Sequence, residues 1–121
     1  MQKLGKREEQ IMQVIWKLKK AFIKDIIDEL PEPRPHYNTV ATMVKILKDK
    51  GFLSDEKLGN TYQYTPRVTL EEYRKQDVAN IKQKYFGNSF TRMISHFAKE
   101  ENLSDEELDE IIRIINSQKS N

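Results

Sequence analysis

Residues 36–66, HYNTVATMVKILKDKGFLSDEKLGNTYQYTP, restrict the fold of this chain more than any other stretch. The spacing predicts a helix over residues 38–50, with Val40, Met43, Val44 and Leu47 in one apolar stripe. The opposite side carries Asn38, Thr39, Ala41, Thr42, Lys45 and Lys48, residues that are small, polar or cationic. Such a side can come close to a surface and still offer hydrogen-bond donors and acceptors, as a helix lying in a DNA major groove must. Gly51 follows as a left-handed cap. Two β-prone runs come next, joined by Leu58-Gly59-Asn60, a turn whose residues tolerate positive φ. Helix, cap and hairpin in that order make a winged helix-turn-helix if two more helices precede them.

The sequence supplies both. Residues 6–18, KREEQIMQVIWKL, set Ile11, Met12, Ile15, Trp16 and Leu18 along one helical side, with Trp16 as a core anchor. Lys17, Lys19 and Lys20 form a basic exit, which is either a solvated helix end meeting the dipole or a phosphate contact. A second helix is expected from Ile23 to Leu30, with Ile26, Ile27 and Leu30 apolar. Pro31, Pro33 and Pro35 then impose a stiff non-helical turn that aims the next helix. Arg34 in that turn either reaches a phosphate or is simply exposed.

His36-Tyr37-Asn38-Thr39 opens the third helix, where first-turn N–H groups and the positive dipole end provide a phosphate seat. His36 is placed to cap it. Tyr37 packs on the turn or contacts the DNA backbone, and the sequence does not separate these. Asn38, Thr39, Thr42 and Lys45 are the groove-facing set. In the hairpin, Tyr62 and Tyr64 share one side of the second strand and are expected to cover the core. Lys57 and Asn60, near the tip, are expected to touch DNA backbone.

Charge gives only modest support to a nucleic-acid partner. The net charge is +2, but residues 1–67 hold 13 Lys and Arg against 9 Asp and Glu, while residues 68–121 hold 8 against 10. A basic front and an acidic back fit a DNA-facing half and an association half. The chain contains no cysteine, which excludes a disulfide framework and thiolate metal sites. No apolar run is long enough to span a membrane and the N-terminus lacks a signal peptide's apolar core, so a cytoplasmic location is expected. There is no phosphate loop, no metal-ligand cluster and no cysteine nucleophile, and His36 and His96 lie far apart without triad partners. An enzyme is therefore not expected, and neither a metal nor a cofactor is called for.

The back half reads as three short amphipathic helices. Thr69 and Glu72 form one capping box, stapled by Val68 and Tyr73; Ser104 and Glu107 form another, stapled by Leu103 and Leu108. Gly87-Asn88-Ser89 breaks the chain between them. The whole chain is 37% apolar and 33% charged, and three short amphipathic helices in its back half cannot close a core alone. Pairing with a second copy through an isologous contact is the economical solution. The dimerising set is Tyr73, Ile81, Tyr85, Phe90, Met93, Ile94, Phe97, Leu108, Ile111, Ile112 and Ile115. The alternative is that these helices fold back on the front half. The expected organisation is thus a mainly α chain with a small hairpin wing: residues 1–67 a winged helix-turn-helix, residues 68–121 a three-helix dimerisation domain.

The runs YNTVATMVKILKDKGFL, GNTYQYTP and NLSDEELDEIIRIIN make the chain resemble the bacterial penicillinase-repressor family of winged-helix regulators (the BlaI/MecI/CopY type) over nearly its whole length. The resemblance implies a homodimeric transcriptional repressor on a dyad-symmetric operator in double-stranded DNA. Antibiotic-responsive members are inactivated by proteolysis at an Asn-Phe bond, through a pathway with a membrane-bound sensor metalloprotease. The matching pair here is His96-Phe97, in which the phenylalanine agrees and the preceding residue does not. Copper-responsive members carry a cysteine-rich C-terminal site, which this chain cannot build. A reading from another class also fits the low net charge: a winged-helix protein-interaction module that never touches DNA.

Overall fold

A computed structural model describes residues 2–119. The chain divides into two compact units, one ending at Asp77 and the other beginning at Val78.

In the first unit, α1 (Lys6–Leu18) starts at Gly5, whose N–H donates to Glu8 Oε1 at 2.9 Å. Its buried side carries Ile11, Met12, Val14 and Ile15. Lys19 takes a positive φ of 71° and stops the helix. The chain then runs to Ala21, which exchanges backbone hydrogen bonds with Tyr64 at 3.0 and 2.8 Å. This bridge ties the α1–α2 connection to the hairpin. α2 (Ile23–Glu29) ends one residue earlier than the sequence predicts, because Leu30 is already extended ahead of Pro31. Leu30 still points into the core, at 3% exposure.

α3 (Tyr37–Asp49) buries Val40, Val44 and Leu47 completely, while Met43 is half-buried. Its end is a full Schellman motif. Phe52 N–H reaches Leu47 O and Gly51 N–H reaches Lys48 O, both at 2.9 Å, with Gly51 at φ +87°. Leu47 and Phe52 are both buried, so the stop signal and the core reinforce each other. β1 (Leu53–Leu58) and β2 (Thr61–Pro66) pair antiparallel from Leu53 opposite Pro66 to Leu58 opposite Thr61. Gly59 and Asn60 form a two-residue loop in which Gly59 alone has positive φ, the pattern of a type II′ turn.

α4 (Leu70–Tyr85) opens with the expected capping box: Glu72 N–H donates to Thr69 Oγ1 and Thr69 N–H to Glu72 Oε1, each at 3.0 Å. Val68 and Tyr73 both join the first unit's core, as a hydrophobic staple requires. Tyr73 does not stand where the dimerising set put it. It is 7% exposed, packs on Trp16 and Phe52, accepts from Leu4 N–H and donates to Glu9 Oε2. A side chain so enclosed is a core residue of the first unit and not part of a dimer surface. Trp16 is only half-buried, its indole N–H donating to Val68 O at 2.9 Å. The long-range packing of Tyr73 and Val68 extends the compact front unit into α4.

In the second unit, Gly87 and Asn88 both take positive φ and end α4. α5 (Phe90–Glu100) is capped by Ser89, which accepts from Arg92 N–H at 3.1 Å. α6 (Asp105–Gln118) is capped by Ser104 with Glu107 reaching back, as its sequence predicts. Among the described residues of this unit, only Met93 is buried.

Candidate nucleic-acid interface

The solvent side of α3 is open. Asn38, Thr39, Thr42 and Lys45 are all exposed, and Tyr37 is 54% exposed at the first turn. The register follows from the burial of Val40, Val44 and Leu47, which turns the intervening positions outward. Thr42 Oγ1 donates to Asn38 O at 2.9 Å, so its hydroxyl proton is spent on the helix while its methyl and lone pairs remain available. Among the described residues, Lys45 has no ion-pair partner. Lys48, by contrast, is bound to Asp55 of β1 at 2.9 Å. Its hydrogen bond with that carboxylate, and then the carboxylate's charge, hold the Lys48 pKa above its ordinary value. Among the described residues, then, Lys45 is left for a partner and Lys48 is spent inside the molecule.

His36 stands at the N-cap position, but its side chain makes no capping hydrogen bond. The expected cap is absent because His36 is exposed at the end of a proline turn, and the backbone carries the junction through Val40 N–H to His36 O at 3.2 Å. The first-turn N–H groups are left without a side-chain acceptor from the N-cap, which keeps an anion seat open beside Tyr37 and Asn38. Arg34 is turned away from that seat. Its guanidinium donates to Leu30 O and Asp28 O, at 3.3 and 3.1 Å, and lies 3.4 Å from Glu32. It closes off the C-terminal carbonyls of α2, a structural task that a phosphate contact would have to displace.

Lys57, Asn60 and Leu58 are exposed at the wing tip. The two tyrosines of β2 part company: Tyr64 is 8% exposed, but Tyr62 is 43% exposed. Tyr62 therefore does not cover the core as the alternation predicted, because by that point the strand has run past the end of the packed layer. It lines a concavity of about 450 Å³ between α3 and the wing, together with Ala41, Lys45, Lys48, Asp55 and Tyr64. Sequence reasoning missed it. The period-two pattern says which residues share a side, and only the Lys57–Tyr62 pairing near the tip says that the side has left the core.

The second unit presents a surface of another kind. Tyr85, Phe90, Ile112, Ile114 and Ile115 are each half exposed or more, and Ile81, Ile94, Phe97 and Leu108 lie between 36% and 44%. Phe90, Ile94, Ile111, Ile114 and Ile115 line a groove of about 210 Å³ without a polar residue among them. Phe86, His96 and Phe97 form a small aromatic cluster, their ring centroids 5.4 to 5.7 Å apart. The His96-Phe97 bond lies inside α5, with both side chains exposed.

Comparison with known proteins agrees with this geometry. The family model for the penicillinase repressor matches residues 4–117. The chain is 27% identical to the methicillin resistance regulatory protein MecI of Mammaliicoccus sciuri over 114 residues, covering 93% of each chain. It is likewise 27% identical to the penicillinase repressor of Bacillus licheniformis, covering 93% of this chain and 89% of that one. The solution structure of the DNA-binding domain of the repressor BlaI is 31% identical and superposes with a TM-score of 0.52, covering 60% of this chain and 94% of the domain.

Proposed function

This chain belongs to the penicillinase repressor family, whose members are transcriptional repressors and not enzymes, and we propose that it acts as a homodimer on a dyad-symmetric operator. The single observation carrying this reading is the open face of α3, where Asn38, Thr39, Thr42 and Lys45 stand clear of their own chain. In each protomer that face enters a major groove, and Lys57 and Asn60 at the wing tip hold the neighbouring backbone. The second unit's exposed apolar residues, Ile81, Tyr85, Phe90, Ile94, Phe97, Leu108, Ile112 and Ile115, with Met93 and Ile111 beneath them, form the contact between copies. Exposed apolar surface of this extent is uncommon on a monomer that works alone. Two copies then fix the half-site separation near a whole number of helical turns, and an occupied operator blocks polymerase.

Relief of repression is assigned to cleavage of the His96-Phe97 bond by a membrane-bound sensor metalloprotease. The chain itself has no helix, among the described residues, long and apolar enough to cross a membrane. Because the bond sits within a helix, the protease requires α5 to unwind locally before it can cut. Incubation with the sensor protease followed by fragment sequencing tests this step, and a 96–97 bond that stays intact removes it.

The DNA reading is tested by a gel shift on the region upstream of the protein's own gene across a salt series. A sequence-selective shift that weakens steeply with salt is expected. The low net charge favours the second reading, a protein-interaction module, and that reading requires no selective shift at all.

A further inference from the structure

We propose that the cleft between α3 and the wing holds one DNA backbone phosphate, with Tyr62 as its hydroxyl donor and Lys45 as its cation. This rests on the operator-binding reading above and names a contact that reading does not include. Three observations carry it. Tyr62 and Lys45 line the same concavity of about 450 Å³, one from β2 and one from α3. Both are exposed, and among the described residues neither side chain has a hydrogen-bond or ion-pair partner. Lys57 lies directly across the ladder from Tyr62, so its side chain emerges on the same side of the hairpin and adds a second cation, without an ion pair among the described residues, at the tip.

The other charges in the cleft explain why the site takes a single phosphate. Asp55 would repel one, but its carboxylate is bound to Lys48 at 2.9 Å, and the pair cancels. That bridge also links α3 to β1, fixing the distance between the two walls. Tyr64 beneath it is buried and braces the same strand through the Ala21 bridge. The cleft is thus a preset gap with a neutral base and a donor-rich mouth. When α3 lies in a major groove and the wing reaches the adjoining minor groove, the strand between them passes through this gap. A phenol donor at a fixed height on a braced strand reads the position of that phosphate without reading a base.

Fluorescence anisotropy tests the contact, using the duplex that wild-type protein footprints upstream of its own gene. Tyr62→Phe keeps the ring and removes only the donor. Affinity is expected to fall about tenfold, as for loss of a hydrogen bond to a charged group, with an unchanged melting temperature and salt slope. Lys45→Ala is expected to reduce the salt slope by about one. Replacing single phosphates by neutral methylphosphonates should expose one position per half-site whose modification weakens wild type more than the Tyr62→Phe protein, which keeps only the Lys45 contact to lose. Tyr62→Phe binding as tightly as wild type, or a methylphosphonate penalty identical in both proteins at every position, overturns the proposal while leaving operator binding intact. If wild type gives no footprint, the operator reading fails and this contact fails with it.

Discussion

The two units of this chain spend their apolar residues in opposite ways. In the first, Ile11, Met12, Ile15, Ile26, Val40, Val44, Leu47, Phe52 and Leu53 are almost wholly removed from water. In the second, comparable residues stay in solvent, and among those described only Met93 is buried. The helices themselves are no worse made: Ser89, Ser104 and Glu107 cap α5 and α6 as well as Thr69 and Glu72 cap α4. What differs is what the apolar side meets. The front unit has helices, a hairpin and the Ala21–Tyr64 bridge enclosing one core, whereas the back unit leaves its isoleucines and phenylalanines exposed. Good local signals make an element; only a partner makes it bury anything.

Mutations can break this contrast from either side. The largest effect is expected for Phe52→Ala, which empties the space under the Schellman motif and against Tyr73. It should cost about 3–5 kcal/mol in chemical denaturation and abolish DNA binding by unfolding the front unit. A double substitution, Ile112→Glu with Ile115→Glu, should do the reverse. These side chains are 55% and 50% exposed, so the isolated chain should tolerate them while sedimentation shows a shift from dimer to monomer.

Smaller changes sharpen the account. Tyr73→Phe removes both the hydrogen bond to Glu9 and the acceptor for Leu4 N–H, and should cost about 1 kcal/mol of stability without altering the proposed self-association. A Tyr73 at the dimer contact would instead change the association constant. Thr69→Ala removes the side-chain half of the α4 cap and should cost about 1 kcal/mol in the same denaturation assay.

The smallest effect is a pH dependence at Glu8. Burial pushes its carboxyl up, but hydrogen bonds from Lys50 Nζ and Gly5 N–H, with the Lys50 charge, outweigh it and leave the pKa lowered. A lowered folded pKa means the stabilisation is fully present above the unfolded Glu value, about 4.3, and fades as pH falls through the folded value. Denaturation midpoints of Glu8→Gln and wild type should therefore converge in acid and separate toward neutrality.

Much of this structure was legible in the residues. The stripe of Val40, Val44 and Leu47, the glycine stop at Gly51 and the two capping boxes are local signals, and each stands where its spacing put it. The open polar side of α3 follows from the same stripe. What the sequence could not carry was contact between distant segments. Tyr73 packs with Trp16 and Phe52 and bonds to Leu4 and Glu9, none of them its neighbours in sequence. Arg34 is claimed by carbonyls that only the folded turn brings within reach. Tyr62 leaves the core because the hairpin outruns the layer beneath it, and alternation alone does not give that layer's length.

The most direct test of the proposal that the exposed back unit joins two copies is the stoichiometry of the DNA complex. Sedimentation equilibrium on the footprinted duplex should find two chains on each duplex, with wild-type protein already dimeric at micromolar concentration before DNA is added. A complex of one chain per duplex, formed by protein that is monomeric throughout, would contradict it.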